Sequence, residues 1–124
     1  MNIVQKIIGT GFLFILTIGT GIWLSNSGKP LNTLIFTIHK LIALASAVFT
    51  AIFIINLLRN VKVETLLLAL IVLSALFIIV LFVSGALLST GKPASKIILT
   101  IHAVVPILAV ITLSLTIYLL AGRK

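Results

Sequence analysis

The sequence has no cysteine, and its 124 residues include a single acid, Glu64. The absence of cysteine excludes disulfides, thiolate catalysis, iron–sulfur clusters and cysteine-based zinc sites. Charged residues make up only 8% of the chain, whereas an ordinary soluble domain has about 25%. The composition therefore excludes a separate soluble domain.

Hydrophobic residues take the place of the missing charges. They make up 61% of the chain, and the mean hydropathy is +1.43. A helix needs about 20 apolar residues to cross the hydrocarbon core of a bilayer, so a chain of this length has at most about five spans. This composition predicts an integral membrane protein.

Four apolar runs, separated by short polar breaks, divide the chain. They cover residues 7–24, 31–58, 65–88 and 97–121. They predict membrane-spanning helices at about 5–25, 31–58, 64–88 and 94–121, with Pro30 and Pro93 in the first turns of the second and fourth. Because the breaks are short, consecutive helices are expected to be antiparallel. The predicted fold is an all-α integral membrane four-helix bundle, and residues 1–124 form a single transmembrane domain.

The net charge of +8 arises from nine basic residues and one acid. In a soluble protein this balance would suggest nucleic-acid binding, but here the charges lie at the ends of the apolar runs, and no nucleic-acid partner is predicted. Five basic residues share the side of the termini: Lys6, Arg59, Lys62, Arg123 and Lys124. Three lie in the opposite connections: Lys29, Lys92 and Lys96. The positive-inside rule then predicts a multi-pass protein of the cell membrane with both termini in the cytoplasm.

A shift of 63 residues aligns the chain with itself. The Gly-Lys-Pro segment at 28–30 falls on 91–93, and the Thr-Ile-His segment at 37–39 falls on 100–102, with seven identities in twelve positions. The alignment predicts a tandem repeat of a transmembrane helix pair. Its copies cover about 1–62 and 63–124. Because each copy crosses the membrane twice, the second and fourth helices are expected to be parallel.

The two histidines of the chain, His39 and His102, occupy matching positions in the two copies. Each lies nine residues after its proline, about 13 Å along its helix, so both are expected at one depth. A zinc site expects four ligands, usually three or more from protein, and no cysteine or intramembrane carboxylate completes one. A haem iron needs only two axial ligands, because the porphyrin supplies four nitrogens. We therefore predict that His39 and His102 are the axial ligands of one haem b.

Other residues on the histidine side fit the same prediction. The lysines there are expected to meet the anionic haem propionates: Lys29, Lys40, Lys92 and Lys96. Gly21 and Gly85, about one turn below that surface, are expected to leave space for the porphyrin, and Pro106 frees the carbonyl of His102 from its helical hydrogen bond. Each feature has an ordinary alternative. Lysines anchor helices at the membrane surface, while glycines allow close helix packing and histidines form hydrogen bonds between helices.

Paired histidines at matched depth, with lysines above them, resemble those of the small four-helix membrane cytochromes b. The resemblance implies electron transfer through one bis-histidine haem b per chain, near the Gly-Lys-Pro side. Because two axial histidines leave no open position on the iron, electrons are expected to pass to a quinol, a partner protein or a small oxidant, and the lysines nearby are expected to steer an anion such as superoxide. The diheme members of that group need two histidine pairs at two depths, whereas this chain has one pair. The lipid bilayer is the predicted surrounding, and a second copy of the chain is a further candidate partner.

Two other functions remain as alternatives. A transporter of the small multidrug-resistance type has a similar length and four helices, but its first helix carries a membrane-embedded glutamate, and the first helix here has no acid. An accessory subunit of a larger membrane complex, with structural histidines, is equally consistent with the sequence.

Overall fold

The computed structural model describes residues 2–27, 33–59, 61–90 and 96–122. These residues form four α-helices: α1 (Ile3–Asn26), α2 (Thr33–Leu58), α3 (Thr65–Leu88) and α4 (Lys96–Ala121). No strand occurs among them. The prediction of an all-α fold with four helices is therefore confirmed, whereas Pro30 and Pro93 lie outside the described residues.

All four helices are long and apolar enough to cross a membrane. They contain 24 or 26 residues each, which corresponds to about 36 to 39 Å and exceeds the roughly 30 Å of a hydrocarbon core. Large apolar side chains are exposed on every helix, including Ile15, Leu34, Leu66 and Ile97. Such surfaces suit contact with lipid chains rather than with water.

The start of α1 satisfies its backbone N–H groups locally. At the start of α1, the Asn2 side chain accepts from the Gln5 backbone N–H at 2.8 Å, and Gln5 Oε1 accepts from the Asn2 N–H at 3.1 Å. This reciprocal capping box satisfies two N–H groups that have no partner inside the helix. Helix α4 continues through Pro106 without interruption.

The chain divides into two compact units, Met1–Asn56 and Leu57–Lys124. The first contains α1 and nearly all of α2, and the second contains α3 and α4. Helices α3 and α4 pack against each other, and the buried residues of α4 follow one face: Val105, Ala109, Thr112, Leu113, Thr116 and Leu120. The buried residues of α2 also follow one face: Ile35, Ser46, Thr50, Phe53 and Leu57.

Candidate functional site

His39 forms a hydrogen bond between the two helices of the first unit. It is the sixth residue after the first residue of α2, about 9 Å along the helix, and its side chain is half-buried. Its Nδ1 lies 3.0 Å from the hydroxyl oxygen of Thr20 on α1. The Thr20 hydroxyl also bonds to two backbone carbonyls of α1, Leu16 at 2.8 Å and Thr17 at 3.1 Å.

His102 makes the corresponding contact in the second unit. It is the sixth residue after the first residue of α4, and it is half-buried. Its Nδ1 lies 2.7 Å from Ser84 Oγ on α3, and Ser84 Oγ is 3.2 Å from the Leu81 carbonyl. The histidine therefore occupies the same position, counted from the start of its helix, in both units. In each unit its Nδ1 bonds to a hydroxyl of the preceding helix.

A glycine follows each of these hydroxyl residues and lies against the imidazole. A Cβ added at Gly21 would be 3.0 Å from His39 Cε1, and one added at Gly85 would be 3.2 Å from His102 Cε1. Real Cβ atoms rarely approach other atoms so closely, so each glycine allows its ring to lie directly against the neighbouring helix. The sequence singled out both glycines as space beside a porphyrin, and the structure places each one against the histidine of its own unit.

The direction of each Nδ1 hydrogen bond depends on where the hydroxyl sends its one hydrogen. If that hydrogen goes to a backbone carbonyl, the hydroxyl oxygen accepts from Nδ1, and Nε2 has the lone pair that a metal requires. Thr20 has two carbonyl oxygens within 3.1 Å, which favours this arrangement for His39. Ser84 Oγ is closer to His102 Nδ1, at 2.7 Å, than to the Leu81 carbonyl oxygen, at 3.2 Å, so the same preference does not follow for His102.

Sequence reasoning did not identify Thr20 and Ser84. The two are 64 positions apart, as are Gly21 and Gly85, whereas the histidines are 63 apart. At an offset of 63, Thr20 aligns with Val83. The correspondence between Thr20 and Ser84 is therefore not visible at that offset. The signal was present as a hydroxyl residue followed by glycine in each first helix, and the buried hydroxyls Thr10 and Ser74 share the offset of 64.

Of the four lysines of the predicted site, the structure describes two, and both are exposed. Lys40 is exposed, and its Nζ lies over the ring of Phe36, 5.7 Å from the centroid. Lys96 is exposed at the first residue of α4. Lys29 and Lys92 lie outside the described residues.

The described residues contain no group of three or more histidine, cysteine, aspartate or glutamate side chains that could hold a metal ion. A metal bound only by clustered protein ligands therefore finds no site in the described part of the chain. A metal that brings most of its own ligands needs fewer protein groups.

Comparison with models of protein families, with curated protein sequences and with solved structures finds no match to this chain.

Proposed function

We propose that this chain is a membrane haem b protein that transfers electrons, with His39 and His102 as the two axial ligands of one haem. The observation that carries the proposal is the Nδ1 hydrogen bond made by each histidine to a hydroxyl of the preceding helix. A metal-ligating histidine commonly bonds its other ring nitrogen in this way, which orients the ring and fixes the tautomer.

The available donors fit haem better than zinc. Two imidazoles are the full complement that a six-coordinate haem iron requires from protein, whereas zinc expects four ligands. When bound, haem b supplies a one-electron couple at its iron. The chain's own residues then bind through Nε2, orient each ring through Nδ1 and keep water away with apolar helices.

The same contact in both units supports a tandem repeat of a helix pair. The hydroxyl, the following glycine and the histidine recur in order, with one residue fewer between hydroxyl and histidine in the second copy. Buried positions recur as well. Residues 46, 50, 53 and 57 of α2 are buried, and so are residues 109, 113, 116 and 120 of α4, each 63 positions later.

His39 and His102 would together hold the haem, and the chemistry that it would supply is one-electron transfer to and from a partner. The lysines of the histidine side would surround this site with positive charge, and no acid lies near them in the sequence. A positive surface raises the local concentration of anions, so superoxide and the propionates of the haem itself are the candidate anionic partners. A quinol in the bilayer is the candidate neutral donor.

The proposal is tested by the visible spectrum of the full chain, expressed in haem-replete cells and purified in detergent. We expect a sharp α-band after reduction with dithionite and one haem per chain. His39→Ala and His102→Ala should each abolish the bis-histidine spectrum. Thr20→Val and Ser84→Ala should retain the haem, with weaker binding because only the orienting hydrogen bond is lost.

A structural role is the second candidate, because the same contacts also join two helices without any ligand. The hydrogen bonds of Thr20 with His39 and of Ser84 with His102 link α1 to α2 and α3 to α4. A colourless, folded chain that does not bind added haemin would exclude the haem protein and favour this role. Histidine variants that fail to fold, when the wild-type chain itself shows no haem spectrum, would support the structural role.

A further inference from the structure

Two hydroxyls in the middle of α2 differ from all the other buried hydroxyls in the described part of the chain. Ser46 is 2% exposed and Thr50 is 5% exposed, and neither Ser46 Oγ nor Thr50 Oγ1 has a hydrogen-bond partner there. The other five buried hydroxyl residues each donate to a carbonyl three or four residues earlier: Thr10, Ser74, Ser84, Thr112 and Thr116. The hydroxyls of Ser46 and Thr50 thus form no hydrogen bond with the backbone of their own helix.

The position of the pair makes this arrangement costly. Ser46 is thirteen residues after the start of α2 and twelve before its end, so it lies at the middle of a candidate membrane span. Bulk water is least available there, and a buried hydroxyl without a partner loses its hydration without replacement. A hydrogen bond to the helix backbone would remove the cost, and these two side chains do not form it.

The hydroxyls of Ser46 and Thr50 are not repeated in α4. The buried positions of α2 and α4 correspond at an offset of 63, and the residues of α4 that correspond to Ser46 and Thr50 are Ala109 and Leu113. These two buried positions are therefore filled by apolar side chains in α4. The two hydroxyls of α2 need another explanation, and they share a helix face with His39, which lies seven residues before Ser46.

We propose that Ser46 and Thr50 form a binding site for an ordered water molecule inside the membrane-spanning part of α2. Side chains four residues apart on a helix have Cβ atoms about 5–6 Å apart. One water, with bonds of about 2.8 Å to each oxygen, spans that separation. A buried water typically makes about three hydrogen bonds, and each hydroxyl offers it one donor and two acceptors.

The occupant is water rather than an ion because the pair carries no charge and Lys40, the single ionisable residue of α2 besides His39, is exposed. Water also satisfies donors and acceptors together, whereas an anion would leave the acceptor capacity of the hydroxyls unused. The site does not rest on the haem proposal, because it requires neither histidine as a metal ligand.

Water-edited solid-state NMR of the labelled full chain in lipid bilayers tests the site directly. Magnetisation from water should reach the Cβ signals of Ser46 and Thr50 at short mixing times. Ser74 and Thr112 serve as matched controls, because both are buried and both donate to a backbone carbonyl. Equal transfer to all four residues, or none to Ser46 and Thr50, would overturn the proposal.

A double-mutant cycle in thermal unfolding gives a second, independent test. If one water joins the two hydroxyls, Ser46→Ala and Thr50→Val should each lower Tm, and the double variant should lose little more than the larger single loss. The control pair Ser74→Ala and Thr112→Val should be additive. Single variants that raise Tm, the result expected when a hydroxyl is buried without any partner, would contradict the water site, and so would additive losses.

Discussion

The contact between an imidazole and a glycine is the most sensitive point of each unit at the scale of single residues. The ring can approach the neighbouring helix because Gly21 and Gly85 have no side chain, and the space that a Cβ would need is already occupied. Helix propensity favours alanine over glycine by about 1 kcal/mol. At these positions the crowding of the ring opposes that preference.

We expect Gly21→Ala to lower Tm in detergent. The added Cβ would lie 3.0 Å from His39 Cε1, and overpacking of this kind costs about 1–3 kcal/mol. Gly85→Ala should have a smaller effect, because the corresponding distance to His102 Cε1 is 3.2 Å.

Gly19 provides the matched control for this prediction. It lies in the same helix two residues before Gly21, and a Cβ there would meet nothing within 4 Å. Gly19→Ala should therefore be neutral or raise stability by up to about 1 kcal/mol through helix propensity. Equal effects of Gly19→Ala and Gly21→Ala would show that the imidazole contact does not limit the packing of α1 and α2.

At the scale of helices, a hydroxyl joins each histidine to the preceding helix. We expect ¹⁵N NMR of the haem-free chain to show Nδ1 protonated and Nε2 unprotonated in His39. Thr20→Val keeps the shape of the side chain and removes the acceptor, so it should shift the His39 signals toward a mixture of tautomers and leave His102 unchanged. The lost hydrogen bond should cost about 1 kcal/mol.

Thr17→Val is the control for that experiment, because the Thr17 hydroxyl donates to the Leu13 carbonyl within its own helix at 2.8 Å. It should leave the His39 signals in place. Ser84→Ala should have the reciprocal effect on His102 alone. A wild-type His39 with its proton on Nε2 would contradict the tautomer inferred from the Thr20 geometry.

The helices and the candidate site differ in how far the sequence predicts them. Long apolar runs fix helices in a bilayer, because backbone groups there must be satisfied within the segment, and all four were predicted on that basis. The partners of His39 and His102 were not predicted, since a contact between helices depends on how their faces meet. The spacing between hydroxyl and histidine is one residue shorter in the second unit. The hydroxyls therefore do not align at the offset that aligns the histidines.

At the scale of the whole molecule, the basic residues predict the orientation of the chain in the membrane. Five lie on the side of the termini and three in the connections on the other side, and cytoplasmic loops carry the excess of lysine and arginine. Lys40 adds to the smaller group. The bias is therefore modest, and a change of a few charges should be enough to alter it.

The absence of cysteine makes this prediction directly measurable, because a single introduced thiol has no background. We expect a membrane-impermeant maleimide to label Ser27→Cys and Ser89→Cys on intact cells. Val61→Cys and Gly122→Cys should react only after permeabilisation, since they are predicted to face the cytoplasm. The opposite labelling pattern would reverse the predicted orientation.

Charge reduction then tests whether the basic residues cause that orientation. The triple variant Lys6→Gln, Arg59→Gln, Lys62→Gln leaves two basic residues on the terminal side against three on the other. Under the positive-inside rule the chain should insert in both directions or invert, so Gly122→Cys in this background should become accessible on intact cells. Substituting Lys29, Lys92 and Lys96 instead should strengthen the original orientation. If neither set changes the labelling, the orientation is determined by something other than the charges of the connections and termini.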